Sequence, residues 1–273
     1  MKTGKKSYGK KKAIIFLSVY IGLAVFVLLW LMFCGYMWSW GPFHMFANHR
    51  FKGYEGNDGK YAVANVEKLE ESPLEGYNIL YLGSSVTNGA ASLQTSFPEY
   101  IAKRNNTTFT KEAVNGTTLV DGGNSYISRL KKLDTSVKYD LFICQLSTND
   151  SSQNKRLGEV SASDATEYDT ATVCGAIEYI INYVEQTWNC PVVFYTNAYY
   201  ESDNYAAMVN ALIEIGQKYD IGIIDLYSDK DFNNITDEQR KLYMADCVHT
   251  TQAGYLEWWT PKMEEYLYGF VGQ

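Results

Sequence analysis

From residue 77 onward the chain alternates between short apolar runs and longer amphipathic stretches, and this alternation restricts the fold more than any other feature. Residues 77–82 read as a buried strand and 140–146 as a strongly apolar one, with further short strands at 109–114, 191–195 and 221–226. Between and after them lie helix-forming stretches at 97–104, 126–133, 170–188, 205–219, 238–244 and 253–267. In the long stretch 170–188, Val173, Ala176, Ile177, Ile180, Ile181 and Val184 recur at helical spacing. Residues 151–168 are polar and read as a loop. Five β-α units predict an α/β fold, a five-stranded parallel sheet covered by helices on both faces. Right-handed crossovers then bring every strand's carboxyl end to one edge, where ligands bind in such sheets.

The N-terminal part follows different rules. Residues 13–33 form an uncharged, predominantly apolar run of 21 positions, about 32 Å of helix and enough to cross a bilayer. Residues 1–12 carry six lysines and no acid. The spacing predicts a basic cytoplasmic tail at 1–12, a transmembrane anchor at 13–36, a stalk or linker at 37–76 and a soluble domain at 77–273 outside the cell membrane. Tyr36, Trp38, Trp40 and Phe43 suit the membrane interface. The run is too long for a cleaved signal peptide, and Phe33 before Cys34 is too bulky for a lipoprotein cleavage site. Residues 41–75 read as a stalk or as a wrap on the domain surface, since Phe43, Phe46, Phe51 and Tyr54 are too apolar for a fully disordered tether, and 60–70 reads as a short helix ended by Ser72-Pro73. Residues 13–273 hold 18 bases against 31 acids, a formal charge of −13, which argues against nucleic acid as a partner. The five cysteines form no CxxC pair. They read as buried small hydrophobes, with Cys174 and Cys190 too far apart along a helix for a disulfide.

Polar clusters stand where the predicted strands end. Gly83-Ser84-Ser85-Val86-Thr87-Asn88-Gly89 follows the first strand, Asn115-Gly116 the second and Ser147-Thr148-Asn149-Asp150 the third. On its own, the first cluster reads equally as the cap of the next helix. Of three histidines, His44 and His49 lie near the membrane end, and His249 alone belongs to the folded domain. It stands three residues after Asp246, within reach of an orienting carboxylate if the segment turns helically. The same pair could serve only as a surface cap for the last helix. With no second histidine in the domain, a metal site has little to draw on.

These four blocks, in this order, resemble the SGNH hydrolases, the GDSL-like esterase and lipase family, and in particular a membrane-anchored bacterial member of it. The resemblance covers about residues 77–268 and implies a flavodoxin-like three-layer sandwich. It matches Ser85 to the nucleophile and His249 and Asp246 to the Asp-x-x-His pair. Gly116 matches the backbone oxyanion donor and Asn149 the side-chain oxyanion donor. It implies no cofactor and no metal. The sequence departs at Ser84, where the family has Asp, and at Ser147, where it has Gly. G-x-S-x-G is absent because Thr87 takes the last place, which disfavours an α/β-hydrolase.

The implied activity is a serine esterase acting outside the cytoplasm on a glycan ester or small ester. An acyltransferase to surface glycan, or a non-catalytic glycan-binding protein of the same fold, is the alternative. A flavodoxin-like phosphate-binding module is a further rival, but residues 83–89 hold no lysine and no P-loop pattern. Tyr199-Tyr200 and Trp258-Trp259 are candidates for lining a sugar cleft, although aromatics at such positions more often fill a core.

Overall fold

A computed structural model of the chain describes residues 3–38, 41–46 and 50–272. It separates into two compact units, Met1–Arg50 and Phe51–Gln273. The first holds helix α1, Thr3–Trp38, followed by a 3-10 turn at Gly41–Phe46. Its segment Lys12–Met37 is long and apolar enough to cross a membrane. The helix runs on through the expected basic tail rather than starting at the apolar run. Gly35 packs against the backbone of Phe43, where a Cβ would collide. Trp40 and His49, and the side chains of Lys2, Lys5, Lys6, Lys10, Lys11, Trp38 and His44, lie outside the described residues.

The second unit is built on five parallel strands: β1 Asn78–Gly83, β2 Thr108–Ala113, β3 Leu141–Gln145, β4 Val192–Tyr195 and β5 Gly222–Ile224. Their spatial order is β2-β1-β3-β4-β5, the flavodoxin-like arrangement. Alternation along each strand feeds two cores. Leu80, Leu82, Phe142, Cys144 and Phe194 face one side. They pack there against α4 Tyr126–Leu130, α6 Val173–Trp188 and α7 Asp203–Tyr219. Ile79, Tyr81, Leu141, Ile143 and Tyr195 face the other, under α3 Phe97–Asn105 and the last helix, α10 Thr260–Val271. Local chemistry starts these helices where the topology needs them. Ser96 and Glu99 form a capping box on α3, and Thr172 and Ser202 cap α6 and α7. Short helices α2 Ser85–Asn88 and α5 Thr148–Ser152 follow β1 and β3 directly. Further on come α8 Lys230–Asn233 and α9 Asp237–Tyr243.

Two expectations need correction. No helix spans 60–70; single 3-10 turns at Gly59–Tyr61 and Val63–Asn65 are joined through extended Ala62, and extended Val66 ends the second. That path lets Tyr61 and Val66, five positions apart, both reach the core. Of the stalk or surface wrap expected here, residues 51–76 take the second form and belong to the compact unit. Leu74 is fully buried with them. The Asn57 side chain donates to Ala91 O at 2.8 Å and accepts the Gln252 N–H at 2.9 Å. The compact unit therefore begins at Phe51 rather than at residue 77. Cys144, Cys174 and Cys190 are buried free thiols, as is Cys34 in α1, whereas Cys247 is exposed.

Candidate active site

The strand order reverses between β1 and β3, so their carboxyl ends diverge and leave a crevice. Ser85 stands at the end of β1 as the first residue of α2, a position whose N–H has no intrahelical partner. The residue is only 7 % exposed. Gly83 precedes it in close contact with Thr87, whose side chain a Cβ at 83 would overlap. Gln145, the last residue of β3, clamps this turn. Its Oε1 accepts the N–H of Ser84 at 2.9 Å, the N–H of Thr87 at 3.3 Å and the Thr87 hydroxyl at 2.8 Å. Sequence reasoning missed Gln145; the one signal was a polar residue inside an otherwise apolar strand. Ser84 is fully buried and makes no side-chain cap to α2. It supports the turn instead, with its hydroxyl 3.3 Å from Gln145 Oε1.

His249 arrives from the other end of the chain. A bridge between Met244 and Thr250 and a hydrogen bond from Ala245 N–H to His249 O close a tight turn, not a helix, around residues 246–249. Asp246 Oδ1 accepts the N–H groups of Val248 at 2.8 Å and His249 at 2.7 Å. Its Oδ2 lies 2.8 Å from His249 Nδ1. The carboxylate thereby holds the Nδ1 proton and leaves Nε2 as an acceptor, 2.8 Å from Ser85 Oγ. Partial burial pushes the Asp246 carboxyl up. The His249 ring and the two backbone N–H groups outweigh it and hold the carboxyl down to about 2. A carboxyl so depressed contributes its stabilisation fully above its unfolded value of about 3.9 and loses it as pH falls through about 2.

Asn149 is half-buried on α5, and its amide donates to Thr117 O at 3.0 Å, which fixes the orientation of the group and leaves its second N–H uncommitted to that bond. Ser147 caps α5, accepting the N–H groups of Asn149 at 3.2 Å and Asp150 at 3.3 Å. The departure from Gly at this position thus supplies a cap. Asp150 is buried, and its carboxylate accepts the N–H groups of Leu119 and Val120 at 2.7 and 3.0 Å. Burial pushes this carboxyl up against those bonds. Gly116 has φ +77° and sits in a turn closed from Thr117 N–H to Val114 O. Asn88 and Asn115, linked at 2.9 Å, tie that loop to α2.

A cleft of about 460 Å³ is lined by Ser85, Asn149 and His249, with Ser151, Tyr200 and Glu201 on its other walls. Asp246 lies behind His249, and Gly116 stands exposed one loop over, outside the cleft lining. Among the described residues no cluster of His, Cys, Asp and Glu could hold a metal ion. The arrangement is a serine hydroxyl backed by a base and an orienting acid, beside an amide donor. Such a set can transfer an acyl group through the serine oxygen.

The GDSL-like Lipase/Acylhydrolase family model matches residues 81–256. Among solved structures, a Lactobacillus plantarum protein is similar at 17% identity, with a TM-score of 0.58 over 72% of this chain and 97% of its own. The lipase/acylhydrolase from Enterococcus faecalis is 19% identical, with a TM-score of 0.51 over 71% of this chain and 96% of its own. The acetyl xylan esterase AlAXEase is 17% identical, with a TM-score of 0.52 over 69% of this chain and 98% of its own. At these identities the likeness is one of fold. No curated protein matches the chain by sequence.

Proposed function

The chain belongs to the GDSL-like lipase/acylhydrolase family, and from that premise we propose that it is a serine esterase that removes acyl groups from a glycan or small ester at the outer face of a membrane. The hydrogen bond from Ser85 Oγ to His249 Nε2 carries this reading. His249 takes the Ser85 proton as Oγ attacks the ester carbonyl, then passes it to the departing alcohol. Asp246 holds the ring in the required tautomer and stabilises its charged form. The N–H of Ser85 and the amide of Asn149, both at the cleft, receive the developing oxyanion, and the N–H of Gly116 joins them only if its exposed loop closes over the substrate. Water admitted through the open cleft then hydrolyses the acyl-enzyme by the same proton path reversed.

A fluorophosphonate tests the nucleophile directly, since it forms a stable adduct only with an activated serine. Stoichiometric labelling on Ser85 is expected, lost in Ser85→Ala and retained at least in part in Ser84→Ala. Adducts at Ser84 would move the nucleophile by one residue, and no labelling of the folded protein by several probes would remove the esterase reading. For the oxyanion hole, Asn149→Ala is expected to leave the circular dichroism spectrum unchanged and lower turnover by about 10²–10³-fold. An unchanged rate would take Asn149 out of the mechanism.

The apolar segment Lys12–Met37 and the lysines before it support the membrane placement. The lysines stay in the cytoplasm, so the compact unit lies outside. External protease should digest it on intact cells; protection until lysis would reverse the orientation.

A further inference from the structure

We propose that the loop after β4, residues 197–202, and α9 form a groove that binds the sugar chain of a polysaccharide ester, with Tyr199 as its stacking platform. This deepens the esterase reading above and rests on it. Two hollows continue outward from the reaction cleft. One of about 610 Å³ shares Tyr200, Glu201 and Cys247 with that cleft and adds Tyr199, Arg240 and Lys241. The next, of about 370 Å³, shares Tyr199 and adds Tyr227 and Asn233. Tyr199 thus stands between two consecutive hollows.

The exposure of Tyr199 has no structural explanation within the fold. Among the described residues of the compact unit, Tyr54 and Tyr199 are the exposed large apolar side chains, and Tyr199 is 53 % exposed. Trp258 and Trp259, the other aromatic pair in the sequence, are core. The platform is also held in advance. The Tyr199 N–H donates to Asn233 Oδ1 at 2.9 Å, and the Asn233 amide donates to Leu226 O and Asp229 O, both at 2.7 Å. The Tyr199 ring leans on Tyr227, centroids 5.1 Å apart. A pre-ordered ring binds with little loss of side-chain freedom.

Reaction chemistry decides which half of the ester lies here. The departing alcohol must receive its proton from His249 Nε2, so it leaves on the side of the His249 turn. Asp246 and Cys247 of that turn line the 610 Å³ hollow. The rim chemistry decides the ligand. A fatty chain lying across Glu201, Asp237, Arg240 and Lys241 would desolvate charges of both signs without replacing their hydrogen bonds. A pyranose offers hydroxyls to those charges and a C–H face to the tyrosine ring.

The test uses the full chain in detergent and acetylated xylo- and chito-oligosaccharides of one to six sugars. For the wild type, kcat/KM per acetyl group should rise at least tenfold between one and four sugars in one of the two series. Tyr199→Ala should remove most of that rise, about tenfold, and Tyr199→Phe should keep it. No length dependence on either backbone, or a rise that survives Tyr199→Ala, overturns the groove. If instead the wild type cleaves no ester and Ser85 takes no label, the esterase reading has failed by itself. Calorimetry with the unacetylated oligosaccharides then decides the groove: binding weakened in Tyr199→Ala supports it, and no binding overturns it.

Discussion

Replacing His249 by alanine is expected to lower kcat/KM on an activated ester by about 10⁴–10⁶-fold while the protein stays folded. The ring makes one polar contact to Ser85, at 2.8 Å from Nε2, and no other histidine is present in the compact unit to replace it. It sits at the surface, 28 % exposed, in a turn already closed by backbone hydrogen bonds, so its removal opens no core cavity. Steady-state kinetics beside circular dichroism would check this, and retention of activity within tenfold of wild type would end the triad assignment. The Asp246 carboxyl, held down to about 2, stays ionised through weakly acid pH and goes on orienting the ring there.

Asp246→Asn is expected to slow the enzyme by about 10⁴-fold for a reason specific to this turn. One carboxylate oxygen accepts the N–H groups of both Val248 and His249, at 2.8 and 2.7 Å. In an asparagine only the carbonyl oxygen can take that place. The NH₂ group is then forced into the position of Oδ2, 2.8 Å from His249 Nδ1. Oδ1, 3.0 Å from Nδ1, is already taken by two backbone N–H groups, and an Nδ1 proton would face the NH₂ donor, so Nδ1 accepts and the ring proton moves to Nε2. The ring then presents an N–H to Ser85 where a lone pair is needed. The backbone bonds that shape the turn thereby enforce the wrong tautomer. Nitrogen NMR of the imidazole would show the proton on Nε2 in the variant and on Nδ1 in the wild type. Wild-type rates in the variant would refute the assignment.

The centre of the sheet was legible because β1, β3 and β4 are near-continuous apolar runs buried on both faces, whereas the edge strand β2 is half-exposed and carries Lys111 and Glu112. Only the ends moved: β5 shrinks to Gly222–Ile224. Ser85, His249 and Asp246 came into view differently, through the four ordered blocks that resemble the GDSL-like family. The polar turn after β1 did not by itself choose between Ser84 and Ser85. Gln145, Ser147 and Asp150 were not legible as a support, because their work is to accept backbone N–H groups from other loops, and nothing in a linear pattern announces which amide a side chain will meet. Residues 51–76 failed for a related reason. Tyr61, Val66 and Leu74 follow neither helical nor strand spacing, since irregular chain reaches the core wherever its turns allow. Tyr199 and Trp258 look alike in sequence, and only the packed structure separates a platform from a core ring.

The belt formed by residues 51–76 fixes how the domain can be set free. Tyr61, Val66 and Leu74 fill the same core as β1 and the last helix, and losing one large buried side chain costs about 2–5 kcal/mol. A cut at residue 77 would strip all three at once, more than a marginally stable fold can spare. Under the outward topology proposed above, release of the folded unit therefore requires a protease to act ahead of Phe51, and cleavage a few turns later would release an unfolded chain.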